Sequence, residues 1–159
     1  MTLKELRTEY NLTQKQVSDI LEIPERTYRR YEQDENHGNK HKRDSFINII
    51  IKNCEITETK GLLTIEQIKD KVTALFDSKY KGEIAFCYLF GSYAKGYAKE
   101  NSDVDLYVAS SLTGFNFVGL IENLRQSLHK KVDVIRSSEL NNNVELTNEI
   151  MKDGIKIYG

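Results

Sequence analysis

The chain has no tryptophan, one proline, two cysteines and three histidines among 159 residues, and each scarcity excludes something. Cys54 and Cys87 form neither a CxxC pair nor a disulfide-dense pattern, so both read as reduced packing residues of a cytoplasmic protein. His37, His41 and His129 lack the spacing of a zinc site, and "HGNKHKR" reads as a solvated loop. Long apolar runs are missing too, which predicts no membrane span, and "MTLKELRTEY" carries charge from its fourth residue, which predicts no signal peptide. Charge of one sign is also lacking. A formal net charge of -1 excludes a chain that binds polyanions over its whole surface, but it leaves room for a local basic face.

Glycine is absent before Gly38, and the other eight follow from Gly61 onward. That shift divides the chain. Residues 1 to about 55 read as short helices, with Thr2-x-x-Glu5 and Thr13-x-x-Gln16 as capping boxes and an apolar run at Phe46, Ile47, Ile49, Ile50 and Ile51 as a further buried helix. Residues 56–63, including "ITETKG", read as a linker. From Thr64 a third box, Thr64-x-x-Gln67, opens a helix with Ile65, Ile68, Val72 and Leu75 at helical spacing. "EIAFCYLF", "SDVDLYVA" and "KKVDVIRS" are strand candidates, "NFVGLIENLRQSLHK" a helix between the last two, and "LTNEIMKDG" with "KIYG" a closing helix and tail. The fold class is therefore α/β with two domains: a small all-α helix-turn-helix-sized unit at 1–55 and an α/β unit at 64–159.

The chemistry concentrates in "FGSYAKGYAKENSDVDLYV", residues 90–108. Gly91-Ser92 sits where a strand ends and the chain turns. There glycine lets backbone approach a ligand, and free amides with the Ser92 hydroxyl suit phosphate oxygens. Lys95 and Lys99 add positive charge nearby. Asp103 and Asp105 are two apart on a strand and so project from one face, where like charges repel unless a divalent cation lies between them. Asp133, flanked by Val132, Val134 and Ile135, is a third carboxylate in apolar surroundings that needs a partner. Three such acids suit Mg²⁺ shared with substrate phosphates, and Asp133 can also accept a proton from an attacking group. The plainer alternatives are that Ser102-Asp103 forms a turn or cap, and that Lys130, Lys131 or Arg136 pairs with the buried acids. Tyr93 and Tyr97 flank the phosphate loop and offer rings for stacking.

Gly91-Ser92, ten further residues, Asp103-x-Asp105 and a later Asp133 together resemble the nucleotidyltransferase superfamily related to DNA polymerase beta. Over about residues 62–159 the chain is more narrowly similar to the minimal nucleotidyltransferases, the antitoxin halves of HEPN/MNT toxin–antitoxin pairs. That resemblance implies a mixed sheet with flanking helices for the α/β unit, and Mg²⁺ held by Asp103, Asp105 and Asp133 as catalytic and metal-binding residues. It also implies a nucleoside triphosphate, ATP, with Gly91, Ser92, Lys95 and Ser102 as nucleotide-binding residues. Some members of the family transfer AMP to a tyrosine of the partner toxin and block its RNase activity. Relatives that modify antibiotics or tRNA carry a large helical domain for their substrate. The α/β unit at 64–159 has fewer than a hundred residues, so a macromolecular acceptor is expected.

"NLTQKQVSDILEIPERTYRRYEQ" pairs a helix from Thr13 with one from about Pro24 across a short turn, the spacing of a helix-turn-helix. Val17, Ile20, Leu21, Ile23, Tyr28 and Tyr31 form its apolar face. Gln14, Arg26, Thr27, Arg29 and Arg30 point outward as candidate DNA-binding residues, with Arg26 and Arg30 suited to base edges and the others to the backbone. The segment resembles the XRE-type helix-turn-helix of phage repressors. It departs from that pattern at Ser18, where alanine is usual, at Glu22, where glycine is common in the turn, and after Glu32-Gln33, where no glycine follows. A non-glycine at a left-handed position costs about 1 kcal/mol.

The combined expectation is a cytoplasmic antitoxin that transfers AMP from ATP to a HEPN-type toxin, binds its operator DNA and assembles as a homo-oligomer or with its toxin. The competing expectations are a DNA-binding regulator whose transferase fold is idle, and a transferase acting on a small molecule of the antibiotic type.

Overall fold

Three threonines begin three helices in the computed structural model, which describes residues 1–159. Thr2, Thr13 and Thr64 each accept the backbone N–H of the third helical residue, and Glu5, Gln16 and Gln67 reach back to the cap backbone, so all three boxes are closed. The chain forms two units, Met1–Glu55 and Ile56–Gly159.

The first unit contains α1 (Leu3–Glu9), α2 (Gln14–Ile20), α3 (Glu25–Gln33) and α4 (Lys40–Cys54). Leu3, Leu6, Val17, Leu21, Tyr28, Tyr31, Phe46 and Ile50 form its core, while Ile20 and Ile23 of the expected apolar face are half-buried. Arg7 is paired with Glu32 at 2.7 Å, and the Glu32 side chain is only 3% exposed, so α1 and α3 are tied by a charge that needs its partner. Two of the departures from the helix-turn-helix pattern have a local remedy, and the one at Glu22 leaves backbone strain. Ser18 is buried and donates its hydroxyl to the Lys15 carbonyl at 2.7 Å. Glu22 occupies the left-handed region at φ 53°. Where α3 ends without a glycine, Arg43 of α4 donates to the carbonyls of Tyr31 at 2.8 Å and Asp34 at 2.7 Å, taking over the C-terminal cap.

The second unit contains α5 (Ile65–Lys79), β1 (Ile84–Phe90), α6 (Gly91–Lys95), β2 (Val104–Ser110), α7 (Gly114–Leu128), β3 (Val132–Arg136), α8 (Ser137–Leu140), α9 (Val144–Asp153) and β4 (Ile155–Tyr158). Its four strands lie in the order β3-β2-β1-β4. β2 and β3 run parallel, and β1 is antiparallel to both its neighbours, giving a mixed sheet. Alternation in β2 sends Val104, Leu106 and Val108 into a core with Ile68, Val72 and Phe76 of α5 and Leu120, Leu124 and Leu128 of α7. The same alternation turns Asp105 and Tyr107 to the other face. Residues 56–63 contain a bridge between Thr57 and Lys60 and bring Leu63 into this core.

Three expectations are corrected here. "KIYG" is not a tail: Ile155–Tyr158 pairs with β1 as an edge strand, buries Ile157, sets the Tyr158 ring 5.0 Å edge-on to Phe76 and donates the Tyr158 hydroxyl to Asp77 at 2.9 Å. Lys130 does not pair with the aspartates, of which Asp105 is half-buried and Asp133, expected in apolar surroundings, is exposed. Lys130 is 0% exposed, and its ammonium donates to the carbonyls of Lys60, at 3.1 Å, and Glu100.

The strain at Glu22 is directly measurable. Glu22→Gly is expected to stabilise the N-terminal unit by about 0.5–1 kcal/mol in urea unfolding, since glycine removes the left-handed penalty at the cost of a more flexible unfolded chain. Unchanged or lower stability would contradict strain at this turn.

Candidate active site

Parallel pairing of β2 with β3 puts Asp105 directly opposite Asp133, on neighbouring strands about 4.8 Å apart. Asp103 lies one residue before β2, exposed to solvent. On the other side, Phe90 at the end of β1 is the register partner of Asp105, which sets Gly91 against that carboxylate. Gly91 is at φ 68°, and a Cβ there would lie 2.1 Å from Asp105 Oδ2. Only glycine fits, for space and for backbone conformation alike. The chain then enters the short helix α6 with Ser92 in its first turn, half-buried.

Burial raises the Asp105 carboxyl to about 6, and the neighbouring charges of Asp133, Asp103 and Glu149 push in the same direction. No lysine or arginine is paired with Asp103, Asp105 or Asp133. Arg136, a candidate counter-charge, instead lies with its guanidinium 4.5 Å from the Phe117 ring centre. The acids are therefore crowded and unneutralised.

The chain has no group of three or more His, Cys, Asp or Glu side chains gathered into a ready-made metal cage. The donor set nevertheless suits Mg²⁺, which is commonly held by one or two carboxylates together with substrate phosphates and keeps several waters. Asp105 and Asp133, opposed across adjacent strands and lacking any cationic partner, offer such carboxylates.

The remaining nucleotide-binding candidates are placed differently. Lys95, at the end of α6, is held by Glu149 of α9 at 2.5 Å. Ser102 accepts the Lys99 N–H at 2.8 Å and closes a turn ahead of β2. Lys99 and Tyr97 are exposed, whereas Tyr93 is buried in the core. Glu149 is a charged neighbour of the site that sequence reasoning missed. Its approach depends on where α9 packs, and no local spacing signals that.

In the first unit, Gln14 begins α2, and Arg26, Thr27, Arg29 and Arg30 lie on α3. Gln14 donates to Glu32 and accepts from Arg29 at 3.3 Å, and Arg29 is also paired with Glu25 at 2.8 Å. Arg26 and Arg30 are exposed and one helical turn apart, so they share a face.

Residues 66–159 match the family "Polymerase beta, Nucleotidyltransferase", and residues 3–37 match "Helix-turn-helix". The chain is 34% identical over 97 residues to the protein adenylyltransferase MntA of Thermococcus cleftensis, covering 55% of this chain and 91% of that one. It is also 34% identical over 87 residues to a provisionally named protein adenylyltransferase of Methanocaldococcus jannaschii, covering 52% and 85%. A crystal structure of a toxin–antitoxin with AMP-PNP superimposes with a TM-score of 0.48 at 26% identity, covering 57% of this chain and 73% of that one.

A raised carboxyl pKa means that the native state holds a proton the unfolded chain has already lost. Without divalent ions, stability is therefore expected to fall as pH rises from about 4 to above 6, the window between the ordinary and the raised value. Asp105→Asn is expected to raise the melting temperature in chelator at pH 7.5 and to change it little at pH 4. A variant no more stable than wild type at pH 7.5 would contradict the crowding.

Proposed function

The chain belongs to the polymerase beta nucleotidyltransferase family, and on that premise we propose that it transfers AMP from ATP to a partner protein, a HEPN-type toxin whose antitoxin it is, with Mg²⁺. We further propose that the helix-turn-helix unit binds operator DNA and so couples the pair to its own transcription.

The observation that carries the first reading is the opposition of Asp105 and Asp133 on parallel strands, with Gly91 backbone against Asp105 and no cation to neutralise the acids. In the reaction, an acceptor hydroxyl oxygen attacks the α-phosphorus, the bond from that phosphorus to the bridging β-oxygen breaks, and pyrophosphate leaves. Mg²⁺ at the aspartates would neutralise charge on the triphosphate and on the leaving pyrophosphate. Backbone amides at Gly91-Ser92 and the Ser92 hydroxyl hold the terminal phosphates. Asp105 and Asp133, with Asp103 beside them, would hold that ion, and Asp133 also takes the proton released by the hydroxyl. The two archaeal relatives are named as protein adenylyltransferases, and this chain covers them almost from end to end, which favours a protein as acceptor.

The second reading rests on Arg26 and Arg30, exposed on one face of α3 with no ion pair to release, in contrast to Arg29, which Glu25 and Gln14 already engage. One such unit contacts a half-site, so binding at physiological salt calls for a dimer or a toxin–antitoxin assembly.

Incubated with Mg²⁺ and ATP labelled on the α-phosphate, the protein is expected to label its toxin. Asp105→Ala and Asp103→Ala are each expected to lower the rate by at least about a hundredfold with the fold retained by circular dichroism. Equal labelling by wild type and variants would overturn the catalytic assignment. No labelling by any form, with operator binding intact, would leave a DNA-binding regulator.

For the DNA-binding reading, Arg26→Ala with Arg30→Ala is expected to weaken operator binding by about 1–3 kcal/mol for each arginine removed, measured by fluorescence anisotropy at fixed salt. Unchanged affinity would remove these two residues from the interface.

A further inference from the structure

The open face of the sheet carries more than the aspartates. Tyr107 follows Asp105 by two residues on β2, on the same face and about 7 Å further along the strand. Beyond it lies a cavity of about 490 Å³ lined by Tyr107, Ser137, Asn141, Val144, Thr147 and Asn148, between β2 and helices α8 and α9. The proposed site thus has a linear order: Gly91-Ser92 for the terminal phosphates, Asp105 for the reacting phosphate, and then an aromatic-floored cavity one ribose length away.

We infer that this cavity seats the adenine base of the nucleotide, stacked on Tyr107 with its amine edge facing Asn148. The inference rests on the nucleotidyl-transfer reading above and names the part of the substrate that reading leaves unplaced.

Tyr107 is built as a platform. Its ring lies 5.7 Å from Phe86 and 6.5 Å from Tyr88, and its hydroxyl is 3.2 Å from Ser137 Oγ, so position and tilt are fixed before a ligand arrives. Stacking on such a ring tolerates any base, so discrimination must come from polar groups at the rim. Thr147 is spent, donating its hydroxyl to the carbonyls of Leu140 at 3.3 Å and Asn143 at 2.9 Å. Asn141 and Asn148 do not engage their amides within the protein. An asparagine amide presents a donor beside an acceptor, the complement of the adenine N6 and N7 pair.

The other cavity in this unit is less suited. At about 350 Å³ it is lined by Gly114, Phe115, Phe117, Val118 and Arg136, and Arg136 pairs in register with buried Val108, on the side of the sheet away from Asp105.

The full-length protein can be tested by equilibrium binding of ATP, GTP and inorganic tripolyphosphate with Mg²⁺. Tyr107→Ala is expected to weaken ATP roughly 5- to 150-fold, the range for removal of a base stack, and to leave tripolyphosphate unchanged, while Tyr107→Phe keeps ATP affinity. Asn148→Ala is expected to cut the preference for ATP over GTP about tenfold. Equal losses for ATP and tripolyphosphate would overturn the inference, because a general disturbance of the site then explains them. Unchanged ATP affinity with a raised KM for the protein acceptor would also overturn it and assign the cavity to the acceptor. If wild type binds tripolyphosphate and labels the toxin while Tyr107→Ala changes nothing, the base site fails and the transfer reading stands. If wild type binds neither ATP nor tripolyphosphate, both fail.

Discussion

Two aspartates on adjacent parallel strands, with no basic side chain between them, are the constraint on which the site depends. Burial of the Asp105 carboxylate is costly, the like charge opposite it adds to that cost, and together they raise its carboxyl pKa. A structural role would call for an arginine or lysine, yet Lys130 goes to backbone carbonyls, Arg136 to the Phe117 ring, and exposed Lys131 forms no ion pair with the aspartates. What remains is a pair of hard oxygen donors whose repulsion a divalent cation brought with the substrate would relieve, as the proposed reaction requires.

The rest of the second unit serves to hold that pair in place. Alternation along β2 buries Val104, Leu106 and Val108 under α5 and α7, and this fixes Asp105 on the opposite face without any contact specific to the aspartate. The β1–β2 register sets Gly91 so close to Asp105 that any side chain would collide. Across the same face, α9 brings Glu149 to Lys95. Lys95 is thus already neutralised, so in the proposed reaction the phosphates would fall to backbone amides, Ser92 and the ion.

Much of this was legible in the chain itself, because local rules governed it. The capping boxes at Thr2, Thr13 and Thr64 close as their spacing predicts, "IAFCYLF" is a strand from Ile84 to Phe90, and Glu22 occupies the left-handed turn that its place in the helix-turn-helix pattern suggested. What was hidden depends on long-range pairing. "KIYG" alternates like a strand but is too short to announce itself without β1 beside it. Glu149 carries no local signal, since it meets Lys95 only through packing of α9, and Arg43 becomes the cap of α3 only once α4 has docked. Lys130 reads as a neighbour of Asp133 in sequence, but the chain direction sends its ammonium to the carbonyls of Lys60 and Glu100.

The central claim is that the aspartates are held apart from any protein counter-charge so that a divalent ion and a triphosphate bind together. Equilibrium dialysis of labelled ATP with the wild-type protein, in Mg²⁺ and in chelator, measures that coupling most directly. The account predicts binding that requires Mg²⁺ and is lost when Asp133 is replaced by asparagine. Equal affinity in chelator, or unaltered Mg²⁺-dependent binding by Asp133→Asn, would contradict it.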